Sequence, residues 1–174
     1  MSRIYCHYFT SPCGSLLLCE YDKRLCLCNW VNDTSVPPSE YAGVAYILKL
    51  QPVFILERTA FLAEVERQLT AYFRGELTEF SVPLYVAGTY FRVSVWNALR
   101  TIPYGETISY ATLALRIGRS NAFRAVGQAC HTNPISIILP CHRVIGSTGM
   151  LTGYGGGLRI KEYLLALERQ YKAN

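Results

Sequence analysis

The apolar residues of this chain change period once along its length, and that change limits what the chain can fold into. Residues 3–32 alternate apolar and polar side chains, with breaks at Ser11-Pro12-Cys13-Gly14 and Asp22-Lys23-Arg24. A period of two is that of a strand with one face buried, so the segment reads as three antiparallel strands. Asn32 to Pro38 reads as a loop, and Glu40 to Leu56 is apolar without a clear period. From Arg58 to Phe73 the spacing turns helical: Leu62, Val65, Leu69 and Tyr72 share one face, and Gly75 stops the pattern. Val82-Pro83-Leu84 and the Gly88 region read as a linker. Beyond it the chain is mostly helical. Phe91, Val95 and Leu99 mark a helix that ends before Pro103, and Leu158 to about Gln170 forms the last helix, burying Ile160, Leu164 and Leu167. Ser109 is placed to cap a helix over about 110–117, Gly118-Arg119-Ser120 to turn, and Ser120 to cap a second helix running to about Ala129. Two short helices joined by such a turn have the proportions of a helix-turn-helix. The expected class is α+β, with an α/β domain over 1–88 and a helical domain over 89–174.

Charge divides at the same place. Residues 1–88 carry seven Lys/Arg against nine Asp/Glu, whereas residues 89–174 carry ten against three. A basic second half points to a polyanion as its partner, and Arg116, Arg119 and Arg124 fall inside the proposed helix-turn-helix. No apolar run approaches the ~18 residues of a membrane span. Met1-Ser2-Arg3-Ile4-Tyr5 lacks the basic-then-apolar pattern of a secretion signal, so a reducing cytoplasm is expected, or the nucleus if the source is eukaryotic. The seven cysteines are odd in number and contain no Cys-x-x-Cys pair. Cys26 and Cys28 share a strand face with only His7 to join them, so most of the cysteines read as small core hydrophobes rather than zinc ligands. No metal and no cofactor are expected.

One cysteine stands apart. In Ile138-Leu139-Pro140-Cys141-His142-Arg143-Val144 a thiol adjoins an imidazole, and a neighbouring proton acceptor changes thiol chemistry. Leu139 precedes proline and is pushed toward extended geometry, so Ile137 to Leu139 reads as a short buried strand delivering Cys141 and His142 to a pocket floor. On the dipeptide alone, a buried structural cysteine beside a satisfied histidine is the preferred reading. The longer string, Asn133 to Gly146, resembles the active-site signature of the O6-alkylguanine-DNA alkyltransferases, also called methylated-DNA–protein-cysteine methyltransferases. Tyr104-Gly105-Glu106-Thr107-Ile108-Ser109-Tyr110, Arg124-Ala125-Val126-Gly127, Tyr154-Gly155-Gly156-Gly157-Leu158 and Lys161 to Glu168 are similar to further family segments, in order and in register.

The resemblance implies a ribonuclease-H-like N-terminal domain joined to a helical domain with a winged helix-turn-helix. It implies direct DNA repair: stoichiometric, irreversible transfer of an alkyl group from O6-alkylguanine to Cys141, with O4-alkylthymine left open as a second substrate. His142 would be the base, Glu168 its orienter, and Asn133 the hinge holding the recognition helix against the cysteine loop. The thiolate of Cys141 would be favoured. Tyr110 would protonate the purine edge and help turn the phosphate. The carbonyls of Cys141 and Val144, the N–H of Gly155, the wall of Tyr154, Gly156 in the same loop and Lys161 would hold the base. Arg124 would enter the stack left by the extruded base, and Arg119, Ala125 and Gly127 would lie on the DNA-binding surface. The partner would be duplex DNA met through the minor groove by a monomer, with no membrane. Rival readings are a damage sensor lacking the nucleophile, a transcriptional regulator with a four-thiolate metal domain, and a cysteine hydrolase. A sensor has another residue where this chain has Cys141, residues 1–88 lack the cysteine spacing of a four-thiolate domain, and a hydrolase would turn over repeatedly without DNA.

Overall fold

A computed structural model describes residues 2–40, 49 and 51–172. The chain divides into two compact units, Met1–Ala87 and Gly88–Asn174.

In the first unit, β1 (Arg3–Ser11), β2 (Gly14–Tyr21) and β3 (Arg24–Val31) pair antiparallel in sequence order. The β2–β3 turn is two residues long. Asp22 and Lys23 both take positive φ, 51° and 55°, the twist that lets a two-residue hairpin follow the strands. A fourth strand, β4 (Val53–Leu56), adds parallel to β1, giving the order β3-β2-β1-β4. It lies within the apolar segment that has no clear period, and residues 41–48 and 50 of that segment lie outside the described residues. Helix α1 (Ala60–Phe73) starts where the Thr59 hydroxyl accepts from the Leu62 N–H at 3.1 Å, and packs on β1 and β2. All four residues of its predicted stripe, Leu62, Val65, Leu69 and Tyr72, are fully buried. Each such aliphatic side chain contributes about 1.5–3 kcal/mol.

Two features differ from expectation. Leu16 to Glu20 of β2 are buried on both strand faces, so the sheet is not half-exposed. His7 and Glu20 meet α1 at Glu66 and Thr59, while Ile4, Cys6, Leu17 and Cys19 belong to a second apolar cluster. Residues 82–85 are not a linker. Leu25 donates to the Pro83 carbonyl and Tyr85 donates to the Leu25 carbonyl, both at 2.9 Å, which pins the segment beside β3. Proline is tolerated there because only its carbonyl is used.

In the second unit, α2 (Tyr90–Leu99) is capped by Thr89 and buries Val95, Trp96 and Leu99. The Trp96 indole N–H donates to the Ala129 carbonyl at 2.8 Å and ties α2 to the later helix. Strand β5 (Ile108–Ser109) runs into α3 (Tyr110–Arg116), whose cap is the expected Ser109. Gly118, at φ +70°, closes the helix as a residue free of Cβ strain, and its N–H reaches the Leu115 carbonyl at 2.9 Å. Ser120 does not cap the next helix. A turn in which Ala122 donates to Arg119 intervenes, so α4 begins at Phe123 and runs to His131 with no side-chain cap.

Ile137 to Leu139 is not a strand. It is a set of turns, with Ile138 bonded to Ser136 and Leu139 to Ile135, and Ile137 sits at φ +71°. A left-handed conformation is uncommon for a β-branched residue and marks a backbone held by its surroundings. Cys141–Arg143 form one 3-10 turn, followed by β6 (Val144–Ile145) parallel to β5. Helix α5 (Leu158–Lys172) packs on that turn and buries Lys161, Leu164, Leu165, Leu167 and Glu168, leaving Ile160 half-buried. Among the described residues, no helix is long and apolar enough to cross a membrane, and no group of three His, Cys, Asp or Glu side chains is arranged to hold a metal ion.

Candidate active site

The turn that replaces the expected strand is what assembles the site. Asn133, just past α4, accepts from the Ile135 N–H at 3.0 Å, and its amide nitrogen donates to the Leu139 carbonyl at 2.7 Å and to Cys141 Sγ at 3.1 Å. One side chain therefore shapes the loop and touches the sulfur. Cys141 is 5% exposed. Burial pushes its thiol pKa up, against the opposing pull of the Asn133 bond and the Lys161 charge. The resting surroundings thus work against the thiolate, which then depends on a proton acceptor close by. The cause is desolvation, which disfavours the charged form.

His142 and Glu168 are fully buried and bonded, Nε2 to Oε1, at 2.7 Å. Burial lowers the His142 pKa despite the carboxylate, while the imidazole and the Arg143 guanidinium hold Glu168 well below the usual carboxylate range against the pull of burial. A neutral imidazole facing a carboxylate carries its proton on Nε2. That leaves the lone pair on Nδ1, a buried atom with no protein partner among the described residues.

Arg143 belongs to the same network and was not singled out in the sequence. Its Nε and Nη2 donate to Glu168 at 2.9 and 3.0 Å, and Nη1 donates to the Ile102 carbonyl at 2.6 Å. A signal was present: the basic half holds only three acidic residues, so a buried arginine there has few possible partners. Gly105 completes the carboxylate shell, its N–H donating at 3.0 Å. It must be glycine, since φ is +72° and a Cβ would lie 2.7 Å from Lys172.

Lys161 is also fully buried, donating to the carbonyls of Val144 at 2.6 Å and Thr152 at 3.0 Å. It ties the loop before α5 to β6. Tyr110 donates to the same Thr152 carbonyl at 3.0 Å, and Gly127 lies against its ring, where a Cβ on the glycine would stand 3.8 Å from the ring carbons. Tyr154 is buried, and a Cβ at Gly155 would meet only the His131 carbonyl at 3.9 Å. Gly156 is half-buried in the same loop. The structure therefore bonds Asn133 to Cys141, His142 to Glu168, and Tyr110 and Lys161 to a shared carbonyl, with Lys161 reaching Val144 as well. Arg119, Arg124 and Ala125 are instead exposed around the start of α4. Arg116 is turned aside to the Thr101 hydroxyl at 3.1 Å.

Both titration shifts make the fold acid-sensitive. His142 binds a proton more readily in the unfolded chain, so its contribution is full above about pH 6.5 and is lost as pH falls below that value. Glu168 contributes above about pH 4.5 and loses its share at lower pH. Denaturant midpoints are expected to fall from about pH 7 to about pH 5. A His142→Asn chain should flatten that part of the curve and keep the drop at lower pH. A level midpoint in the unaltered chain over that window would contradict a neutral imidazole.

Fold and site together define a thiol, imidazole and carboxylate carried on a helix-turn-helix scaffold. Residues 90–170 match the family model of the 6-O-methylguanine DNA methyltransferase DNA-binding domain, and residues 4–86 match that of its ribonuclease-like domain. A methylated-DNA–protein-cysteine methyltransferase of Methanosarcina acetivorans is 46% identical, over 95% of this chain and 98% of the relative. That of Mycobacterium leprae is also 46% identical, over 95% and 93%. The crystal structure of Mycobacterium tuberculosis O6-methylguanine methyltransferase superimposes with a TM-score of 0.81 at 43% identity, covering 97% of this chain and 94% of that one. The same Mycobacterium tuberculosis protein in complex with DNA gives 0.79 at 42% identity, covering 96% and 94%. The chain belongs to the methylated-DNA–protein-cysteine methyltransferase family.

Proposed function

We propose that this protein repairs alkylated DNA directly, moving the alkyl group from guanine O6 to Cys141 Sγ in one irreversible turnover. The observation that carries the reading is His142: its Nε2 is committed to Glu168, so the buried Nδ1 is the base available to the neighbouring thiol. The thiol proton passes to Nδ1 through a bridging water, and the resulting thiolate attacks the alkyl carbon in line. The O6–carbon bond breaks, the S–carbon bond forms, and the departing guanine takes up a proton. A thiol kept neutral until this moment is spared oxidation, and the imidazolium that forms is stabilised by Glu168. The thioether product has no reductive route back to the thiol.

The base must be extruded to reach this depth. Tyr110 gives its proton to the purine edge, exchanging its bond to Thr152 for one to the base and relieving developing charge. The carbonyls of Val144 and Cys141 each accept one bond within the fold and have a second lone pair for the exocyclic amine. Gly155 supplies its N–H to O6, with Tyr154 as a wall and Gly156 in the same loop. Asn133 steadies the sulfur and Lys161 the loop. Arg119 and the α4 start, Ala125 and Gly127 included, face duplex DNA in its minor groove. Arg124 fills the stack. Residues 1–88 act as scaffold, the protein works as a monomer, and its free thiols suit the cytoplasm or a nucleus.

Titrating the protein with duplex carrying a single O6-methylguanine tests the reading. Repair should stop at one methyl per chain. Continued turnover would favour a hydrolase, and tight binding without transfer would favour a sensor. Arg124→Ala should slow repair of duplex by about tenfold or more, the scale of a lost stacking partner, while leaving reaction with free O6-benzylguanine nearly unchanged. Equal slowing on both substrates would remove the intercalating role.

A further inference from the structure

Phe123 is the first residue of α4, and 46% of it is exposed although its neighbours on the same side of the helix include core residues. Val126 and Cys130, three and seven residues on, are buried. A phenylalanine on that stripe could have turned inward; here about half of it faces solvent. One contact shows what the exposed ring adjoins, and a second places its helix face. The Arg124 guanidinium lies over it, 5.7 Å from the ring centre. Gly127, one helical turn further on and on the same face, lies against the ring of Tyr110. Phe123 thus stands on the helix edge between the arginine assigned to the vacated stack and the tyrosine assigned to the extruded base. The surrounding unit carries ten Lys/Arg against three Asp/Glu, so the surface presenting this ring suits a polyanion rather than an apolar partner.

We propose that Phe123 is a positioning residue for base extrusion, its ring packing on the sugar and base edge of the nucleotide beside the lesion while holding Arg124 for entry. This rests on the repair reading above. An apolar wedge in the minor groove lowers the cost of unstacking one step. A guanidinium already seated on an aromatic face gives up less freedom when it enters the duplex. The role assigned to Phe123 lies on the duplex and not in the purine pocket, so its effect should appear only with duplex.

The test compares the full chain with Phe123→Ala, Phe123→Leu and Phe123→Tyr. Each is assayed for transfer from duplex O6-methylguanine, transfer from free O6-benzylguanine, and thermal midpoint. A fluorescent adenine analogue beside the lesion reports unstacking. The Ala variant should slow duplex repair by about tenfold and reduce the fluorescence change. Leu, which keeps a wedge but no seat for Arg124, should do both to a smaller extent. Free-base rates should stay within about twofold of the unaltered chain. Tyr should restore both. If Ala fails to fold, Leu carries the comparison, because it keeps apolar volume and loses only the aromatic face. Equal slowing on duplex and free base, or duplex rates and fluorescence unchanged in Ala and Leu, would overturn the assignment. Failure of the unaltered chain to transfer from duplex would instead sink the repair reading itself.

Discussion

Glu168→Ala is expected to cost about 3–5 kcal/mol of stability, because it leaves a buried guanidinium without its counter-charge. Arg143 would lose two of its three bonds, and the Gly105 N–H and His142 Nε2 would lose their acceptor. Glu168→Gln separates this structural role from the chemical one. Each carboxylate oxygen receives an arginine N–H, so an amide must turn its NH2 toward one of them. Placing the amide oxygen at Oε2 keeps the Arg143 Nε and Gly105 bonds, and leaves NH2 facing His142 Nε2 and Arg143 Nη2. Placing it the other way opposes two donors instead of one. The first arrangement is therefore favoured, and it donates to Nε2, which drives the imidazole proton onto Nδ1. The ring is then in the wrong tautomer to accept from Cys141. Alkyl transfer should slow by about a hundredfold or more, the usual share of a positioned base, with a smaller stability loss than alanine causes. Denaturant titration and single-turnover kinetics on both variants check this. A glutamine variant transferring at the unaltered rate would show that the tautomer does not matter.

Cys141→Ala should abolish transfer and keep binding to duplex containing O6-methylguanine. The pocket loop is held by Lys161, and Arg124 is exposed at the start of α4 and not bonded to the thiol, so neither depends on it. Asn133 keeps its bond to the Leu139 carbonyl and loses only the contact to Sγ, so stability should change by about 1 kcal/mol. Gel-shift titration beside a methyl-transfer assay reads both quantities. A folded alanine variant that no longer bound the lesion duplex would contradict the division between a binding surface and a reacting atom.

The regular elements were legible because their signals are local. The stripe of α1 and the Ser109 cap of α3 come from spacing and from one hydroxyl, and both stand where spacing put them. The cysteine loop was illegible for a physical reason. Its shape comes from the Asn133 side chain bonding backbone six residues away and from Ile137 in a left-handed conformation, neither of which a proline rule registers. Arg143 was passed over because its partners, Ile102 and Glu168, are distant in sequence. The start of α4 moved because an extra turn formed after Arg119, which a capping preference cannot foresee. The resemblance places Lys161 near the base, but nothing local in the sequence says that its ammonium is buried. Only the carbonyls of Val144 and Thr152 explain its burial.

The account turns on which sulfur receives the alkyl group. Cys130 lies on the neighbouring helix and, like Cys141, is buried, so the chain offers a built-in alternative. After reaction with one equivalent of duplex O6-methylguanine, proteolysis and peptide mass mapping should place a single methyl on the peptide holding Cys141, with Cys130 and the N-terminal thiols unmodified. A methyl on any other residue, or none at all with the lesion consumed, would contradict it.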